Sequence, residues 1–209
     1  MSPFRKLLWL IVFAGAFALV EAAVVAYLRK LLMSDGGYFP LKEIPVHILK
    51  IELSREAATM VVLVIVGILS ATTPLGRFGT FMFVFGAWDI LYYGWLAFFE
   101  GWPQSLLDWD LLFLIPVPWI APVLAPVLVS MGLLGCGGWL LIHEDETDKI
   151  GISVRDWGVE LAAAMMILFS FMNNDRSSPP ENYPWVIFFA GLLSGIGYFV
   201  WRVSARRGE

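Results

Sequence analysis

The sequence predicts an all-α membrane protein, a polytopic bundle of six transmembrane helices forming one integral membrane domain over residues 1–209. Three observations predict it. Hydrophobic residues make up 59% of the chain, where soluble domains hold about 45–50%. Charged residues make up 15%, where about 25% is usual. The apolar residues also gather into runs of about 20, the length that crosses about 30 Å of hydrocarbon as a helix. A mean hydropathy of +0.75 agrees. No alternating ten-residue pattern suggests a barrel, and an open sheet would leave backbone groups unsatisfied in lipid.

The first span, about 7–28, runs from Leu7 to Leu28, broken by Glu21 and closed by Arg29-Lys30. Arg5 and Lys6 ahead of an apolar run resemble a secretory signal, with Ala16-Phe17-Ala18 as a cleavage box. The length of the run favours an uncleaved first helix. The second span, about 51–72, opens with "IELSREAAT", and the third, about 77–98, contains "WDILYYGWL".

The fourth segment is unusual. Ser105 to His143 is too long for one crossing at about 1.5 Å per residue. It also holds Pro116, Pro118, Pro122 and Pro126. A Pro-broken fourth span is expected at about 118–141, with Leu106–Ile115 as a short interfacial or re-entrant piece and Pro116-Val117-Pro118 as the corner. Pro118 suits a first helical turn. Pro122 and Pro126 would each remove an i→i−4 bond, freeing the carbonyls of Pro118 and Pro122. Those carbonyls then either line a polar pocket or belong to a kink packed on a neighbouring helix.

The fifth span is about 156–172 and the sixth about 184–202. Gly191 and Gly195 form a GxxxG pair, and Gly132, Gly135, Gly137 and Gly138 are available in the fourth span for close helix approach.

With six spans both termini share one side. That side carries eight Lys and Arg residues (Arg5, Lys6, Arg77, Lys149, Arg155, Arg202, Arg206, Arg207) against six on the other (Arg29, Lys30, Lys42, Lys50, Arg55, Arg176). The positive-inside rule therefore places both termini in the cytoplasm of a cell inner membrane. Trp88, Tyr92, Tyr93, Trp95, Trp102, Trp109 and Trp119 are expected in the interfacial aromatic belt.

Several chemistries lack support. Cys136 is the lone cysteine, so neither an intrachain disulfide nor a CxxC motif exists. Basic residues do not form a patch for nucleic acid. His47 and His143 fall at opposite membrane faces, which argues against a bis-His haem within the chain. HExxH, paired ExxH, P-loop and serine-nucleophile motifs are missing.

The acids carry the functional signal. Glu21 and Asp89 fall about 10 Å beneath the outer surface at the helical rise. Glu52 and Glu56 open the second span, and Asp108 and Asp110 open the fourth segment. Six carboxylates thus share one outer layer, facing Arg29, Lys50 and Arg55. Glu52, Arg55, Glu56 and Thr59 lie on one helical face, as do Asp89, Tyr92 and Tyr93. Each charge inside a span costs about 2.5–3.5 kcal/mol on insertion scales, so it faces the bundle or water. Two accounts remain open: ion pairs that lock the bundle, or a pocket roofed by loops 29–50 and 99–107 that binds a cation, a proton or a small polar ligand. The candidate site residues are Glu21, Glu52, Arg55, Glu56, Asp89, Tyr93, Asp108 and Asp110, with His47 as a candidate metal ligand. Asp145 and its acidic neighbours read as a solvated connector. Glu160 lies near the inner face, and the apolar middles of the spans leave no proton path from it to Asp89.

Three functions are compatible with this pattern: a binding or transport-related protein, an accessory or assembly subunit of a larger, respiratory-type membrane complex or homo-oligomer, and a membrane enzyme acting on a lipid or isoprenoid. A missing catalytic motif argues against the last. The expected partners are the lipid bilayer and other membrane subunits, not nucleic acid.

Overall fold

The computed structural model describes residues 2–32, 45–147, 151–173 and 182–206. Helix α1 spans Pro3–Leu32, α2 Val46–Ser70 and α3 Pro74–Glu100. A hairpin of β1 (Trp109–Phe113) and β2 (Trp119–Pro122) follows, then α4 (Leu124–Ile142), the single turn α5 (Glu144–Thr147), α6 (Val154–Met172) and α7 (Trp185–Arg206). Five helices, α1, α2, α3, α4 and α7, are long and apolar enough to cross a membrane. The chain is a helical, multi-pass membrane protein. Helix α6 lies antiparallel along α7 but carries Arg155, Asp156 and Glu160 in its first two turns. The start of α1 and the end of α7 lie at the same end of the bundle, called here the near end.

Local chemistry sets the helix limits. The Thr73 hydroxyl accepts the Gly76 amide at 3.0 Å and Pro74 opens α3, where a missing N–H is harmless. Gly101 ends α3 in the left-handed region with φ 65°. Ser153 and Asp156 form a reciprocal capping box on α6.

The fourth segment departs from expectation. Residues 109–122 form an antiparallel hairpin, with Asp110 opposite Ala121 and Leu111 opposite Ile120, where the sequence predicts a short interfacial or re-entrant piece at Leu106–Ile115 and a span from 118. Ile115, Val117 and Ala121 each precede a proline, which disfavours helical backbone and favours extended backbone. The helix starts only at Leu124. Pro122 therefore lies in a strand, and Pro126 is the third helical residue, whose N–H would have no intrahelical acceptor. The expected ladder damage and freed helical carbonyls do not arise. The Val123 and Leu124 amides donate instead to the carbonyls of Asp108 (2.9 Å) and Leu106 (2.7 Å). The hairpin enters the bundle: Asp110 meets Tyr93, and Phe113 stacks on Phe85, about 12 Å further along α3 by helical rise.

The core is centred on α3, which packs on α1, α2 and α4. A Cβ on Gly137 would lie 2.5 Å from the Gly79 carbonyl oxygen, so α3 and α4 touch backbone to backbone there. The Gly191–Gly195 pair serves α6 and α7: a Cβ on Gly191 would lie 2.8 Å from the Ala163 carbonyl oxygen. Gly135 has open space around it. Of the aromatics assigned to the interfacial belt, Trp88, Tyr93 and Trp102 are buried within the protein. Most of the anticipated roof at 29–50 lies outside the described residues, as do Lys42, Lys149 and Arg176.

Candidate functional site

The acids converge as their helical positions imply, but most are consumed by structural partners. Arg55 on α2 bridges two helices. Its guanidinium pairs with Glu21 of α1 and donates from Nε and Nη2 to Glu52 at 3.0 and 2.7 Å. Thr59 Oγ1 donates to the other Glu21 oxygen at 3.3 Å. The i, i+3 and i, i+7 spacing that places Glu52, Arg55 and Thr59 on one face is thereby used.

Asp110, 5% exposed, receives Arg29 Nη2 at 3.2 Å and the Tyr93 hydroxyl at 3.1 Å. Arg29 also donates to Glu100 at 3.0 Å and lies 4.1 Å from the centroid of the Trp102 ring. Glu100 was not foreseen as part of this layer. Its signal was position alone, the last residue of α3 before Gly101.

Two acids serve the backbone. Asp108 accepts the Gln104 and Ser105 amides at 2.7 and 3.0 Å, closing the turn ahead of the hairpin. Glu56 accepts the Leu114 amide with both oxygens at 3.0 Å. Non-helical backbone inside a membrane protein requires such partners, and a hairpin tip has no ladder to supply them. His47 is exposed in the first turn of α2. Among the described residues no three His, Cys, Asp or Glu side chains form a group suited to a metal ion.

Asp89 is different. It is 8% exposed, and its one hydrogen-bond donor among the described residues is Ser130 Oγ, at 2.8 Å. Among the six acids of the layer, it alone has neither a basic nor a backbone partner. It lines a cavity of about 490 Å³ between the α3–α4 pair and the α6–α7 pair. The two pairs meet through aromatic contacts at either end. Phe78 meets Trp157 edge-on at 5.2 Å near the chain ends, and Trp119 of the hairpin meets Phe171 at 6.2 Å at the far end. Between these contacts α4 still packs on α7, where a Cβ on Gly132 would lie 2.9 Å from the Ile196 side chain, and the cavity lies beside that contact.

The walls are apolar, and Phe85, Phe113, Trp119, Met60 and Met82 are among the residues that line them. The remaining ionisable groups in the lining are Asp156, Glu160, Arg202, Tyr198 and Cys136. Asp156 and Arg202 bind each other, Nε to Oδ1 at 2.9 Å, and the Tyr198 hydroxyl donates to Asp156 at 2.7 Å. The cavity therefore holds unpaired acid and no unpaired base among the described residues. Its volume lies in the range of small-molecule sites, about 300–1,000 Å³.

Comparison with protein-family models, with curated proteins and with solved structures finds no match to this chain.

Proposed function

We propose that the protein is a transport-related inner-membrane protein with six crossings and cytoplasmic termini, and that its cavity binds a lipophilic organic cation with Asp89 and Ser130 holding the charged end. The observation that carries this reading is the Asp89 carboxyl, nine-tenths buried on an apolar cavity wall without a base. An ionised carboxylate in such a place is costly unless a cation accompanies it. A cation with an apolar or aromatic skeleton satisfies both the acid and the walls. Phe85, Phe113 and Trp119 line the cavity, aromatic rings attract cations, and the methionines adapt to varied shapes. The full-length pairing of α6 with α7 supports a sixth crossing, and the excess of Lys and Arg on the terminal side supports the orientation.

Binding of ethidium to the purified protein, followed by its fluorescence, tests the site. The uncharged phenanthridine ring system serves as the neutral comparator. Wild type binds ethidium in preference to the neutral ring, and Asp89→Asn weakens ethidium by about tenfold or more without loss of monodispersity. Equal affinity for the neutral ring, or full affinity in Asp89→Asn, overturns the reading. A variant that loses thermal stability alone would assign Asp89 a structural role.

A further inference from the structure

The same cavity carries a second acid that the binding site does not use. Glu160 lies on α6, six residues beyond Val154, and lines the cavity. It makes no hydrogen bond or ion pair among the described residues. The charged groups closest to it are already committed. Asp156, one turn earlier, accepts from Ser153, Tyr198 and Arg202. Arg202 donates to Asp156 and to the Gly151 carbonyl. Cys136 of α4 and Gly195 of the adjoining α7 also line the cavity. A Cβ on Gly195 would lie 3.4 Å from Glu160 Oε2, so the glycine leaves the carboxyl room.

Depth separates the two acids. Asp89 lies fifteen residues along α3 from Pro74, and α3 and α6 both start at the near end. At about 1.5 Å per residue, Asp89 sits about 22 Å and Glu160 about 9 Å from those starts, so about 13 Å divides them along the bundle. The wall between them is apolar, formed by Met82, Val129, Leu133 and Ile196 among others.

We infer that Glu160 is a second cation station, and that the cavity is a passage along which a lipophilic organic cation moves between Asp89, midway along α3, and Glu160 near the chain termini. This rests on the cation reading of the Asp89 site. Two acids at different depths on the two sides of one apolar cavity fit a path better than a store. Each is positioned to hold the charge, and neither is shielded from the cavity by a fixed partner base.

Ethidium entry into proteoliposomes loaded with DNA measures the passage, and ethidium binding in detergent measures the Asp89 site separately. Wild type raises entry about tenfold or more over protein-free vesicles. Glu160→Gln returns entry to the protein-free level while detergent binding stays within about twofold, and Glu160→Asp restores part of the entry. Wild-type binding without entry, or full entry in Glu160→Gln, overturns the passage and leaves the Asp89 site standing. No binding by wild type sinks the Asp89 reading itself. Where Glu160→Gln does not fold, Cys136 supplies the readout, because it lines the same cavity as Glu160. Ethidium then slows maleimide labelling of Cys136 in wild type about tenfold, and unchanged labelling overturns the second station.

Discussion

Glu56 and Leu114 are fifty-eight residues apart, yet both carboxylate oxygens of Glu56 sit 3.0 Å from the Leu114 amide. An acid on a transmembrane helix thus completes the hydrogen bonding of a hairpin that dips among the helices. Glu56→Leu is expected to leave that amide without an acceptor and to lower stability by about 1–3 kcal/mol. Glu56→Gln keeps an acceptor oxygen and loses less. Thermal unfolding in detergent ranks the two, and a Glu56→Leu protein as stable as wild type would remove this role.

Arg55 joins α1 to α2 through Glu21 and Glu52. Arg55→Ala strands two buried acids, and a loss on the order of 3 kcal/mol is expected, the low end for a broken buried pair because the arginine side chain is 21% exposed. Replacing all three residues by apolar ones, Arg55→Met with Glu21→Leu and Glu52→Leu, should recover most of it. Equal losses in the single and triple variants would show that the network does not act as a unit.

The α3–α4 crossing depends on missing side chains at Gly79, Gly86 and Gly137. Gly137→Leu must force apart a contact in which even a Cβ would meet backbone at 2.5 Å, so about 1–3 kcal/mol is expected to be lost. Gly135→Leu meets nothing within 4 Å and should be close to neutral. A melting comparison of the two decides whether packing position or residue type governs the effect.

At the near end, Glu144 ties α1 to the start of α3. Although burial opposes its ionisation, hydrogen bonds from Lys6 and from the Thr72 and Thr73 amides hold its carboxyl down at about 2, below the ordinary 4.5. A depressed acid contributes stability above pH 4.5, and that contribution is lost as pH falls through about 2. Lys6→Gln should raise the carboxyl toward its ordinary value, moving the acid-induced loss to higher pH and shrinking the contribution at neutral pH. Acid titration of the melting temperature reads this out, and superimposable profiles for wild type and Lys6→Gln would exclude it.

The membrane class and the helices were legible in the chain, because lipid demands long apolar runs with internally satisfied backbones and such runs are visible residue by residue. The layer of acids was legible for a similar reason: helical rise converts sequence position into distance along a helix, and Glu21 does meet Arg55 as Asp110 meets Tyr93. Glu100 and the Leu114 amide were not legible, since each joins the layer through a contact made between elements far apart in sequence. The prolines pointed to an irregular segment, but whether it became a kinked helix or a hairpin depended on Phe85, Trp88 and Glu56 being there to receive it.

By itself, then, the sequence determined which segments are long apolar helices and in what order the charges fall along each of them. Tertiary structure alone decided which charges are neutralised. Arg55 and Arg29 each reach two acids, and amides of two separate turns take Glu56 and Asp108. That left Asp89 and Glu160 lining the cavity bordered by α3, α4, α6 and α7. Pairing depends on side-chain direction and on distances across helices, and neither is written in the order of residues along one of them.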